Sequence, residues 1–180
     1  SVSCTEIEKN YIISLRRLTP SKGVDILIRA FKDIANKYPQ IRLLIAGEGP
    51  EEENLKTLAR NLNLDDKIKF IGTVSLTRAI SLLKGAICTG VPSISEGGSL
   101  VNIEAQAASC PVVASRVGGI PEYVQDGVSG LLFESRNLKD LADKIKIIIS
   151  NAPLRNKLIH GGIEHARKFS WDMLGPQYLA

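Results

Sequence analysis

The chain has 180 residues, 44% of them hydrophobic and 23% charged, with a formal net charge of +4. That length suits one domain with a proper core, and the composition excludes a disordered polymer. Twenty-three Lys and Arg are well mixed with nineteen Asp and Glu, aromatics make up only 5%, and nucleic-acid binding therefore finds no support.

Short apolar runs alternate with helical patterns along the chain. Tyr11–Leu15 reads as a strand. Val24–Tyr38 reads as a helix with Leu27, Ala30, Phe31, Ile34 and Tyr38 on one face. Arg42–Ala46 is the next strand, and the turn Gly47–Pro50 (G-E-G-P) follows it. Glu51–Leu62 is helical, Ile68–Ile71 a strand, Thr77–Leu83 a short helix and Ala86–Val91 a strand. After a glycine turn comes a helical run, Leu100–Ala108, then the strand Pro111–Ala114. Gly118–Glu122 (G-G-I-P-E) opens a short turn or helix, and Leu131–Phe133 is a last strand. Leu138–Ile149 and Leu154–Lys168 are amphipathic helices, and Ser170 is a candidate N-cap for a helix starting at Trp171.

Strands separated by helices imply parallel pairing through right-handed crossovers. A sheet covered on both faces explains strands that do not alternate apolar with polar residues. The expected fold is a doubly wound, Rossmann-like α/β domain, with a parallel sheet of about six strands and helices on both faces. Ligands on such sheets bind beyond the carboxyl ends of the strands. The glycine turns at Gly47–Gly49, Gly97–Gly98 and Gly118–Gly119 each follow a strand, so they should gather at that edge.

Cys4, Cys88 and Cys110 form no C-x-x-C pair and no zinc spacing, which suits buried free thiols in a reducing compartment. His160 and His165 lie in a polar amphipathic stretch without ligand-like company, so no metal is expected. No apolar run approaches the ~20 residues of a membrane span. No signal peptide is visible, and the missing initiator Met suggests a trimmed segment.

The most informative stretch is Ser95–Glu104, S-E-G-G-S-L-V-N-I-E. Two glutamates flank a small, glycine-rich turn that lets a ligand approach the backbone. The first N–H groups of the following helix have no intrahelical partner and suit a phosphate. Glu96 precedes the helix and Glu104 stands one turn into it, so the pair can hold hydroxyls on either side of a diphosphate. The plainer alternative is a surface glutamate plus one that favours the helix dipole. Between the first strand and first helix runs Arg16–Gly23, R-R-L-T-P-S-K-G. Arg17 and Lys22 are cations beside a helix N-terminus, an unfavourable place unless an anion shares it. Two solvated surface cations are the plainer alternative.

Taken in order, six segments resemble one family: R-L-T-P-S-K-G-V-D-I-L-I-R-A-F, L-L-I-A-G-E-G-P, F-I-G-T-V, P-S-I-S-E-G-G-S-L-V-N-I-E-A-Q-A, C-P-V-V-A-S-R-V-G-G-I-P-E-Y-V and D-G-V-S-G-L-L-F. They look like the group 1 (family 4) retaining glycosyltransferases of GT-B fold, from about Tyr11 to the C-terminus. The resemblance covers only the C-terminal, donor-binding half. The N-terminal acceptor domain would lie outside these residues, in cis or in trans.

The resemblance implies a nucleotide diphosphate sugar as donor substrate, with no metal or other cofactor. It implies that Arg17 and Lys22 grip the diphosphate, that Glu96 lies by the donor sugar and that Glu104 binds the ribose hydroxyls. It further implies backbone contacts from Gly97, Gly98, Ser99, Leu100 and Val101, a base-binding segment at Thr73–Val74, and a cleft lined by Gly47 and Gly49. A glycan, lipid or other acceptor would be bound elsewhere. The enzyme would be cytoplasmic, with peripheral membrane contact through its full length left open.

Three positions depart from the family's usual pattern. Arg16 stands where glycine usually precedes the Arg. E-G-G-S at Glu96–Ser99 replaces E-G-F-G, and Ser109-Cys110 occupies a place where glycine is preferred. Two rival readings use the same fold. A nicotinamide-dependent dehydrogenase would need G-x-G-x-x-G after the first strand, which Arg16–Gly23 lacks. A non-catalytic or split-transferase subunit would bind nucleotide and dock on a partner chain.

Overall fold

The computed structural model describes residues 10–169. Ser170, the helix expected at Trp171 and Cys4 lie outside the described residues. Six strands, β1 (Tyr11–Leu15), β2 (Arg42–Ala46), β3 (Ile68–Phe70), β4 (Cys88–Val91), β5 (Val112–Ser115) and β6 (Leu131–Phe133), form one parallel sheet in the order β3-β2-β1-β4-β5-β6. Seven helices connect and cover them: α1 (Val24–Lys37), α2 (Glu52–Asn61), α3 (Leu76–Gly85), α4 (Leu100–Ala107), α5 (Ile120–Tyr123), α6 (Leu138–Ser150) and α7 (Ala152–Arg167). The doubly wound expectation is met, with about six strands becoming six.

The sheet has a core on each face. Ile12, Leu43, Ile45, Val113 and Phe133 pack with Leu27, Phe31 and Ile34 of α1 and Leu141 and Ile145 of α6. Ile13, Leu44, Val112, Ala114 and Leu132 pack on the other face with Leu82 and Leu83 of α3, Ala105 of α4 and Ile120 of α5. Successive residues of a strand point to opposite faces, so a sheet covered twice favours apolar residues on both faces, and Ser14, Thr89 and Ser115 are buried polar exceptions. Cys88 and Cys110 are free and buried, and burial pushes the Cys88 thiol up to about 12 and the Cys110 thiol up as well.

Several ends differ from the sequence reading. α1 stops at Lys37, and Tyr38 only donates its backbone N–H to Ile34. α2 is Glu52–Asn61 and β3 stops at Phe70. α3 starts earlier because Ser75 caps it, its side chain accepting from the Arg78 N–H. β4 starts at Cys88 because Ala86 still donates to Leu83 in the last turn of α3. α4 ends at Ala107 rather than Ala108. β5 begins after Pro111, whose carbonyl accepts from Thr89, and runs on to Ser115. α6 runs on to Ser150. α7 begins at Ala152 because Asn151 caps it and Pro153 suits its first turn. Ser109 sits at φ 62°, a left-handed conformation that glycine adopts with less strain.

Candidate functional site

The sheet order reverses between β1 and β4, and in such sheets that reversal opens a crevice beyond the carboxyl ends of the strands. β1 runs straight into Arg16 and Arg17, and β4 leads into Ser93 and Glu96. The two loops are bonded together, with the Ile94 N–H donating to the Ser21 carbonyl at 2.8 Å. Gly23, at φ +63°, completes the junction, because any Cβ there would overlap the Pro92 carbonyl oxygen. A 3₁₀ turn, Pro20–Lys22, aims Lys22 across this junction.

Glu96 is the hub. Lys22 Nζ donates to both its carboxylate oxygens, at 2.8 and 2.7 Å. The Ser93 hydroxyl donates to Oε2 at 3.0 Å. Arg16 Nη2 reaches Ser93 Oγ at 3.1 Å and Glu96 Oε2 at 3.4 Å. The Arg16 side chain is only 4% exposed, that of Glu96 10% and that of Lys22 27%. Burial pushes the Arg16 guanidinium down to about 10, with the Glu96 charge opposing that shift. Arg16 Nη1 lies 3.4 Å from the Lys22 carbonyl, and its Nε is buried with no hydrogen-bond partner among the described residues.

Arg17 points elsewhere. It is exposed and lines a cavity of about 590 Å³ together with Gly47, Glu48, Gly49 and Thr73. A Cβ on Gly47 would overlap the Arg16 carbonyl, and one on Gly49 the Leu18 carbonyl, so these glycines let the loops after β1 and β2 pass close together. The Thr73 N–H donates to Glu48 Oε1 at 3.2 Å. Val74 is packed against the core rather than lining the cavity.

The glycine turns do gather at this edge. Cβ atoms on Gly118 and Gly119 would overlap the carbonyls of Glu96 and Gly97, and Gly119 donates its N–H to the Glu96 backbone carbonyl at 3.2 Å. Gly97 is exposed with open space around it, whereas a Cβ on Gly98 would stand 2.9 Å from the Tyr123 hydroxyl. Ser99 is the buried N-cap of α4, and its carbonyl accepts from Asn102. Leu100 is 71% exposed, while Val101 packs partly into the core. Glu104 is exposed on α4, and its carboxylate makes no hydrogen bond or ion pair among the described residues.

The structure thus groups Lys22 with Glu96, and Arg17 with Gly47, Gly49 and Thr73. Three participants escaped the sequence reading. Arg16 stood out only as a departure from glycine, Ser93 precedes Glu96 by three positions in P-S-I-S-E, and Glu48 sits between the two turn glycines. His165, expected in a polar stretch, is instead buried, with Nδ1 3.1 Å from Gln106 Oε1. Among the described residues no three His, Cys, Asp or Glu converge, and no helix is long and apolar enough to cross a membrane.

This doubly wound sheet is one half of a GT-B fold, the architecture of its structural neighbours. It superposes on Anabaena HepE, solved in complex with UDP and glucose, with TM-score 0.88 and 25% identity over 95% of this chain and 47% of that one. A C-terminal domain of a group 1 glycosyl transferase from Francisella tularensis gives TM-score 0.77 and 28% identity, covering 94% of this chain and 86% of that one. Residues 5–165 match the family model for glycosyl transferases group 1, and the chain belongs to that family. It is 38% identical to a D-inositol 3-phosphate glycosyltransferase of Mycolicibacterium smegmatis over 91% of its length, and 38% identical to an uncharacterized glycosyltransferase of Methanocaldococcus jannaschii over 93%. It spans 38% and 46% of those relatives' own lengths.

Proposed function

We propose that the chain is the donor-binding domain of a retaining glycosyltransferase, binding a nucleotide diphosphate sugar at the β1/β4 crevice. The observation that carries this reading is the meeting of Lys22, on the loop after β1, with Glu96 on the loop after β4, while Arg17 of the same β1 loop lines the neighbouring cavity. HepE, a structural neighbour, binds UDP and glucose, and this supports the same ligand class here.

Transfer passes through an oxocarbenium-like transition state as negative charge grows on the departing diphosphate. Arg17, Lys22 and the first N–H groups of α4 would stabilise that charge without a metal. Glu96 would orient the sugar, and Glu104 would accept from the ribose hydroxyls. The acceptor site would come from an N-terminal half, since the chain spans less than half of the relatives it matches. On this reading the chain binds donor but transfers little by itself. Buried free thiols at Cys88 and Cys110 support a reducing, cytoplasmic setting.

Calorimetric titration with UDP, GDP and ADP tests the reading. One of the three should bind, equally well with and without EDTA. Binding of none overturns the assignment, and binding that EDTA abolishes and Mg²⁺ restores overturns its metal-free form.

A further inference from the structure

Lys22 is asked to bind a diphosphate, yet it already holds both oxygens of Glu96. Its release would leave a carboxylate that is only 10% exposed beside the neutral Ser93 hydroxyl. A buried charge stripped of its partner is strongly unfavourable, so Lys22 could not move unless a second cation stood ready. Arg16 is that cation. Its Nη2 lies 3.4 Å from Oε2, longer than the 2.7–2.9 Å or so of a strong charge-assisted bond, so the contact has room to tighten. Its other bonds are few and long, Nη1 to the Lys22 carbonyl at 3.4 Å and Nη2 to Ser93 Oγ at 3.1 Å, and Nε has no partner among the described residues, so the fork keeps donor capacity in reserve. At 4% exposure it is screened from solvent and cannot serve as a free phosphate-binding arm.

We propose that Arg16 is a positioning residue, the reserve counter-ion of Glu96, which keeps the carboxylate paired when a diphosphate draws Lys22 away. The inference rests on the donor-binding reading and adds a hand-over to it. Without ligand, Lys22 and Arg16 share Glu96. With ligand, Lys22 moves onto the diphosphate, Arg16 closes on Oε2, and Glu96 stays in place for the sugar. Arg16 acts on the nucleotide only through Glu96.

A double-mutant cycle on the 180-residue chain tests this, using whichever of UDP, GDP and ADP the wild type binds. Arg16→Met should weaken binding about tenfold, because Lys22 is then held back by a carboxylate with no other cation. In a Glu96→Gln background the same substitution should change affinity less than about twofold, because no charge is left to hand over. Arg16→Lys should stay near wild type. A purely long-range effect of the Arg16 charge, or a direct phosphate contact, would cost the same factor in both backgrounds and would overturn the proposal. No loss in either background would overturn it too. Thermal unfolding checks each variant. Should Arg16→Met fail to fold, Arg16→Gln, which keeps a donor for Ser93 without the charge, is read in the same cycle. A wild type that binds none of the three nucleotides removes this inference along with the donor-binding reading. Binding with an additive cycle removes this inference alone.

Discussion

Lys22 and Glu96, 74 positions apart, form a two-pronged ion pair that ties the loop after β1 to the loop after β4. Arg17, five residues before Lys22, takes no part in it and faces the cavity instead. The two cations therefore start from different states, one exposed and one committed.

That difference predicts unequal losses. Arg17→Ala should weaken nucleoside diphosphate binding by about 1.5–3 kcal/mol, the range for a hydrogen bond to a charged group. Lys22→Ala should cost less, because wild-type Lys22 must first give up part of its bond to Glu96. Calorimetry of the two variants decides it, and an equal or larger loss from Lys22→Ala contradicts the ordering.

The architecture was legible because its signals are local. Tyr11–Leu15, Arg42–Ala46 and Leu131–Phe133 match residue for residue, each an apolar run bounded by polar or turn-forming residues. α3 was read too short because its first turn presents Leu76, 68% exposed, which breaks the periodic pattern that burial would create. The site was legible only in part. Glycine turns and cations after strands announce a ligand-binding edge, but which charge meets which is a tertiary matter. Arg16 and Glu96 are 80 positions apart, and no spacing rule links them. The bond between Glu48 and the Thr73 N–H likewise depends on β2 and β3 being neighbours, which follows from the sheet order and not from either segment.

Asn102 offers a stability test. It lies wholly buried on α4, and neither its amide nitrogen nor its amide oxygen has a partner among the described residues. An unsatisfied buried amide costs about 1–3 kcal/mol. Asn102→Leu, close in size and shape, should raise the urea midpoint with an unchanged slope, a gain of about 1–2 kcal/mol. A fall in the midpoint would mean that the amide is satisfied in solution.

His165 should make stability depend on pH. Gln106 Nε2 donates to the Tyr123 carbonyl, which leaves Gln106 Oε1 to accept from His165 Nδ1–H. Burial, and secondarily the Lys168 charge, push the imidazole below its ordinary value of 6.5. The folded state then binds this proton less readily than the unfolded chain does. Its contribution is complete above pH 6.5 and is lost as the pH falls from there toward the depressed folded value. Urea midpoints should drop on acidification across that window. In His165→Asn the drop should shrink, and an unchanged drop would exclude His165 as its source.

The two glutamates should separate functionally, because the structure gives them different surroundings. Glu104 stands exposed on α4 with no partner among the described residues, so its carboxylate can accept from the ribose hydroxyls without breaking any bond. Glu104→Ala should weaken the plain nucleoside diphosphate by about 1–3 kcal/mol. Glu96 sits before the α4 N-terminus inside its cation cluster, and on the proposed reading it serves the sugar rather than the ribose. Glu96→Ala should spare the plain nucleotide and erase the extra affinity that the sugar-bearing donor shows over it. The comparison needs six titrations, wild type and each variant with the nucleotide and with its glucose conjugate. If the two variants respond alike to both ligands, the division of roles fails while the fold stands. If neither responds, both glutamates are structural; Glu104→Ala should then change the unfolding midpoint little, whereas Glu96→Ala, which strips the buried Arg16 of its counter-charge, should lower it clearly.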